Sequence, residues 1–138
     1  MTELNIINLI DGVRQLEQRI SVALMYSGIR IPQLRTLSVI DEEGRITVTL
    51  LSKRLGITRA TASAMVNELI TKNIVYTVDN ESDRRSFYVK LTISGKQKLN
   101  VARRDLMEFQ KSLSRDLSDE LIASVNTFLG YVRKTSKK

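Results

Sequence analysis

Five residues between positions 58 and 67 are of the types that read a polyanion, Thr58, Arg59, Thr61, Ser63 and Asn67, and Ala64 shares their outer face. They fall on one side of a stretch whose other side, Ala62, Met65, Val66, Leu69 and Ile70, is apolar at helical spacing. Short hydroxyls, one amide and an arginine near a helix N-terminus suit the base edges and phosphates of a major groove. A helix selected only for solubility carries more glutamate and lysine than this. A second group follows, in which Arg84 and Arg85 end the wholly polar run Asn80-Glu81-Ser82-Asp83-Arg84-Arg85. Asp83, two residues before Arg85, is placed to hold its guanidinium extended, so the arginine arrives at a ligand with less entropy to lose. A narrow minor groove concentrates negative potential, which arginine reads well.

Other chemistries are poorly served. The 138 residues include no cysteine and no histidine, which excludes disulfides, thiol nucleophiles, Ser-His-Asp catalysis and His- or Cys-ligated metals. No paired acidic motif lies in an apolar context, so a carboxylate-dependent enzyme is the weakest reading and no cofactor is implied. The net charge is +7, and its distribution says more than its sum. Residues 46–104 hold eleven Lys/Arg against four Asp/Glu, a net of +7, while the flanking segments nearly cancel at −1 and +1. The middle of the chain is where a nucleic acid would bind.

These residues need elements to position them. Ile6, Leu9, Ile10, Val13, Leu16, Ile20, Ala23 and Leu24 predict a first helix, broken at Ser27-Gly28. A second helix, with Pro32 at its first position, carries Leu34, Leu37, Val39 and Ile40 and ends at Asp41-Glu42-Glu43-Gly44; Ile31 makes a poor cap for it. Thr47 caps a short third helix containing Val48, Leu50, Leu51 and Leu55, which Gly56 ends. Thr58 caps a fourth over 59–72, with Asn73 as its left-handed stop and Glu68–Lys72 as an i, i+4 pair. The period then changes to two: Ile74, Tyr76 and Val78 on one strand face, and Phe87, Val89 and Leu91 on the next strand. Thr92 caps a long helix with Leu99, Ala102, Leu106, Phe109 and Leu113. Ser118, followed by Asp119 and Glu120, opens a last one with the stripe Leu121, Ile122, Val125, Phe128, Leu129 and Val132. The tail from Thr135 is expected to fray.

Helices 47–55 and 59–72, joined by a tight Gly-containing turn, form a helix-turn-helix, and the basic hairpin directly after it is a wing. Residues 46–96 resemble the winged helix-turn-helix of the multiple-antibiotic-resistance regulator (MarR) family. The resemblance rests on Leu55-Gly56-Ile57-Thr58-Arg59-Ala60-Thr61-Ala62-Ser63, then Leu69, Lys72-Asn73-Ile74-Val75, Asp83-Arg84-Arg85 and Leu91-Thr92-Ile93-Ser94-Gly95. It implies a mainly α fold with a small β-hairpin wing: a single domain over 1–138, a winged region at 32–96, and dimerisation helices at 3–26 and 97–134. It further implies that helix 59–72 enters the major groove and that Arg85, oriented by Asp83, enters the minor groove. Thr61, Ser63 and Asn67 would read bases, while Arg59 and Arg84 hold phosphates. Ala64 stands where a basic residue is common in the family, Asn73 replaces the usual glycine and Thr77 a frequent arginine.

The family is dimeric through its terminal helices. The sequence agrees independently, because the stripes containing Leu9, Val13, Leu121, Val125, Phe128, Leu129 and Val132 have no obvious partner inside a small winged domain. Together these features imply a homodimeric regulator, a repressor acting on a pseudo-palindromic duplex, and the resemblance alone implies its relief by a small aromatic or anionic ligand. No motif marks a pocket for that ligand. A ligand-independent regulator and a winged-helix module that binds protein are the alternatives. No apolar run is long enough for a membrane span and no signal peptide is present, so the cytoplasm is the expected location.

Overall fold

A computed structural model describes residues 2–135. The helices are α1 (Ile6–Ala23), α2 (Ile31–Glu43), α3 (Val48–Leu55), α4 (Arg59–Thr71), α5 (Ile93–Arg115) and α6 (Asp119–Thr135). The strands are β1 (Ile46–Thr47), β2 (Val75–Asp79) and β3 (Phe87–Leu91), in the antiparallel order β1-β3-β2. Of the tail expected to fray, residues 136–138 lie outside the described residues, and Thr135 is the last residue of α6.

Capping residues set the boundaries. Thr47, Thr58 and Thr92 each accept the backbone N–H three residues on, at 3.2, 3.1 and 2.8 Å, satisfying donors that a helix start leaves without partners. Gly56 (φ +69°) and Asn73 (φ +58°) supply the left-handed turns after α3 and α4. At α2 the expected boundary moves by one residue. Arg30 is the N-cap, so Pro32 takes the second helical position. The side chain of Gln33, not a residue at the cap, closes this end by accepting the Arg30 N–H at 3.0 Å. Proline fits there equally well, since the first-turn N–H groups have no intrahelical acceptor.

The core lies between α2, α3, α4, the sheet and the first half of α5, with Leu37, Ile40, Leu51, Val66, Leu69, Val75, Val89 and Leu99 almost wholly buried. Ile70, assigned inward by spacing, is exposed because it sits at the edge of its stripe, and Leu50 of α3 is exposed as well. The sheet also decides which strand face turns inward, which alternation alone left open. Pairing of Val75 with Leu91, Thr77 with Val89 and Asp79 with Phe87 puts these six residues on one face. The buried member of β2 is therefore Val75, and Tyr76 faces out. Ile74 is buried too, but as the residue before the strand, where the chain leaves the α4 turn. β1, unforeseen from two residues, pairs Ile46 with Val89 and completes the sheet.

Two connections tie this body to α5. Thr92 donates its N–H to the Ile74 carbonyl at 3.0 Å and its hydroxyl to the Asn73 carbonyl at 2.8 Å. Gly95 then passes so close to the α4–β2 turn that a Cβ there would lie 2.0 Å from the Ile74 carbonyl oxygen. The second connection is Asp41 of α2, which accepts from Lys96 Nζ at 2.6 Å and Arg103 Nη1 at 2.8 Å, both on α5. These two contacts, Lys96 first, hold the Asp41 carboxyl below its ordinary value against a smaller upward push from burial. A depressed carboxylate pKa contributes stability above the unfolded-state value and loses it as pH falls through the folded-state value. Asp41→Asn is therefore expected to lower the urea midpoint near about pH 7 and to flatten the parent's loss of stability as pH falls through and below the ordinary carboxylate range. Equal acid sensitivity in the two proteins would contradict this linkage.

Candidate nucleic-acid interface

The polar side of α4 is a solvent-facing ridge. Ala60, Ala64, Asn67 and Thr71, spaced by three or four residues, are all exposed, and Thr61 flanks them. Thr61 and Ser63 are two residues apart, hence about 200° apart around the axis, so they lie on opposite flanks. Thr61 is exposed and Ser63 half-buried. The sequence reading missed Ala60 and Thr71 as ridge members, although the same i, i+4, i+7 spacing identifies them.

Hydrogen bonding sorts these side chains by what they have left to offer. The Thr58 hydroxyl accepts the Thr61 N–H and donates to the Thr61 hydroxyl at 2.8 Å, so Thr58 is used up as a cap. The Thr61 hydroxyl already accepts that bond, which leaves its own proton to point outward. The Thr71 hydroxyl is bound back to the Asn67 carbonyl at 3.0 Å. Among the described residues the Asn67 amide has no protein partner, so its donor and acceptor are both available for the paired contact an adenine edge offers. Arg59 and Arg84 likewise make no ion pair among the described residues. Arg54 differs: Glu42, at 2.8 Å, and Glu43 hold its guanidinium against the end of α2.

The wing tip is braced from within. Asn80 accepts the Ser82 N–H and donates to the Ser86 hydroxyl, both at 3.0 Å. The Asp83 carboxylate accepts the Arg85 N–H at 3.0 Å and its Nε at 3.4 Å. Arg85 is held at its base while its side chain stays 93% exposed. At the wing's root, the Arg45 guanidinium lies 4.2 Å from the centre of the Tyr88 ring. No sequence signal joined these two residues, because β1 is what brings them together.

The stripes assigned to assembly lie apart from this surface. α1 contains no buried residue; Leu9 is half-buried and Val13 exposed. On α6, Leu121, Val125, Phe128, Leu129 and Val132 are all exposed. An open groove of about 310 Å³ runs between α1, α5 and α6, lined by Leu16, Ile20, Leu106, Phe109, Leu113, Ile122 and Val125 among others. Among the described residues no helix is long and apolar enough to cross a membrane.

Residues 27–86 match the sequence model of the MarR family. The chain is similar to a cysteine-to-serine mutant of MarR from E. coli solved with operator DNA, at 25% identity over 91% of each chain and a TM-score of 0.80. It shares its fold with AbsC, a MarR family transcriptional regulator from Streptomyces coelicolor, at 18% identity over 99% of each chain and a TM-score of 0.81. It also shares its fold with NadR in complex with 4-hydroxyphenylacetate, at 20% identity, 96% and 94% coverage and a TM-score of 0.68. No curated protein sequence matches it significantly. The winged region is thus matched in sequence by the MarR family model, and the order of helices, sheet and wing along nearly the whole chain is that of solved winged-helix regulators of that family.

Proposed function

We propose that the protein is a homodimeric repressor that binds a pseudo-palindromic DNA duplex, with α4 of each protomer in a major groove and each wing in the adjoining minor groove. The observation that carries this reading is the pairing of two unspent recognition groups on one basic region: the free Asn67 amide on the α4 ridge and the Arg85 side chain on a tip that Asp83 holds rigid. Thr61, Ser63 and Asn67 read bases; Arg59 and Arg84 hold phosphates. The similarity to a MarR solved with operator DNA supports the assignment. The apolar faces of α1 and α6 form the two-fold interface. A small aromatic or anionic ligand releases the DNA, a reading supported by the NadR complex with 4-hydroxyphenylacetate. No cofactor is needed, and the site of action is the cytoplasm, where the DNA is.

The test is selection of bound sequences from a random duplex pool, followed by titration of variants onto the selected site. Arg85→Ala is expected to weaken specific binding by about 1–3 kcal/mol with the fold intact. Asp83→Asn should weaken it less, since only the pre-organisation is lost. Asn67→Ala should relax preference at one position per half-site, whereas Arg59→Ala should lower affinity for all sequences and flatten the salt dependence. No enriched sequence, or an Arg85→Ala protein equal to the parent in matched salt, would count against DNA reading through the wing.

A further inference from the structure

Glu68 is the one acidic residue of α4, and it directly follows Asn67 on the helix proposed to enter the major groove. One of its carboxylate oxygens, Oε1, accepts from three side chains: Arg30 Nη2 at 2.7 Å, Gln33 Nε2 at 3.1 Å and Lys72 Nζ at 3.2 Å. Gln33 is 5% exposed, and its other amide atom accepts the Arg30 N–H that begins α2. Arg30 and Lys72 are themselves exposed. Two cations beside the proposed DNA surface are thus turned onto a protein carboxylate. The Lys72 hydrogen bond first, and then the Arg30 and Lys72 charges, hold the Glu68 carboxyl below its ordinary value against an upward push from burial.

An unpaired lysine or arginine at such a place would take a phosphate and add affinity for any sequence, since phosphate contacts position but do not specify. We propose that Glu68 is a specificity-determining residue of the DNA interface: it sequesters Arg30 and Lys72, so that discrimination rests on the α4 ridge and the wing rather than on indiscriminate charge. Gln33 sets the geometry by fixing the carboxylate against the start of α2. This inference rests on the DNA-binding reading above and adds a residue that acts without touching a base.

The experiment compares the parent with Glu68→Gln on the selected duplex and on an unrelated duplex of equal length, across a salt series. Glutamine keeps an acceptor for Gln33 Nε2, so the start of α2 stays closed while the charge is lost. The expected result is about 3–30-fold tighter binding to the unrelated duplex at low salt. The log affinity against log salt should steepen by about 0.9 for each cation that reaches a phosphate. The ratio of specific to non-specific affinity should fall. Adding Arg30→Gln and Lys72→Gln to that variant should return the slope to the parent's. A Glu68→Gln protein with the parent's slope and ratio would reduce Glu68 to a brace between α2 and α4 and overturn the proposal. If Glu68→Gln folds poorly, Arg30→Gln/Lys72→Gln in the parent background answers the same question. Sequestered cations leave the slope within well under one unit of the parent's, whereas cations already on phosphate flatten it by about 1.8 and overturn the proposal. A parent that prefers no sequence removes the DNA-binding reading itself; a selective parent beside an indifferent Glu68→Gln removes this inference alone.

Discussion

Leu129→Asp is expected to leave each subunit folded, to separate the dimer, and to abolish specific DNA binding while sparing weak, salt-sensitive binding. Leu129 is 48% exposed in the isolated chain, and it shares an exposed apolar stripe on α6 with Leu121, Val125 and Phe128. A contiguous apolar patch of this kind is a liability unless a partner covers it. Burying one large side chain is worth about 1.5–3 kcal/mol, and a two-fold axis makes every such contact occur twice. A carboxylate at this position would stand twice in the interface, each copy costing several kcal/mol unless it reached water. Because α6 lies outside the core, thermal unfolding of the variant should differ little from that of a dissociated parent. One winged unit covers one half-site, so affinity for the full site should fall by at least about 10³-fold, toward the non-specific level. Sedimentation gives the state of assembly. Titration onto a site with about five base pairs inserted between the half-sites gives the geometry, since the insertion turns one half-site to the opposite face of the duplex. A Leu129→Asp protein that stays dimeric, or a parent indifferent to the insertion, contradicts the two-fold arrangement.

Gly95→Ala is expected to be among the most damaging single-methyl changes in the protein, costing about 3 kcal/mol of stability. The added Cβ would lie 2.0 Å from the Ile74 carbonyl oxygen and 3.1 Å from the Ile74 side chain. The atom in the way is backbone, and that carbonyl already accepts the Thr92 N–H. Relief therefore requires the start of α5 and the turn after α4 to move apart, which breaks the Thr92 cap contacts as well. The strain lies on the joint between the proposed reading helix and α5, so DNA affinity should fall along with the denaturation midpoint. Gly12→Ala is the matched control: nothing lies within 4 Å of a Cβ there, and alanine is the better helix former by about 1 kcal/mol. Equal midpoints for parent and Gly95→Ala in urea would show that this joint is looser than the geometry states.

Most of the site was legible in the sequence because its signals are local. A hydroxyl cap, a left-handed residue after a helix and a polar hairpin tip each depend on neighbours three to six residues away. So Thr58, Asn73 and the Asp83–Arg85 hydrogen bonds stand where spacing placed them. Charge counted by segment located the basic middle for the same reason, since it needs no knowledge of contacts. The apolar stripes of α1 and α6 were equally plain, and their exposure in one chain is what an unpartnered stripe should show.

What the tertiary structure alone decided depends on residues distant in the chain. The face of β2 that turns inward follows from its register with β3, and a one-residue choice there moves every side chain to the other side. β1 exists because Ile46 finds Val89, forty-three positions on, and two residues carry no periodicity of their own. Gly95 reads as one more helix residue until Ile74 is placed against it. The clearest case is Glu68. By spacing it is half of an ordinary i, i+4 pair with Lys72. Only the packing of α2 against α4 brings Arg30 and Gln33, thirty-eight and thirty-five positions away, onto the same carboxylate oxygen. Sequence fixes which groups a helix presents, because helical geometry is local. Which of those groups remain free for a ligand is set by long-range contacts that spend some of them on the protein itself.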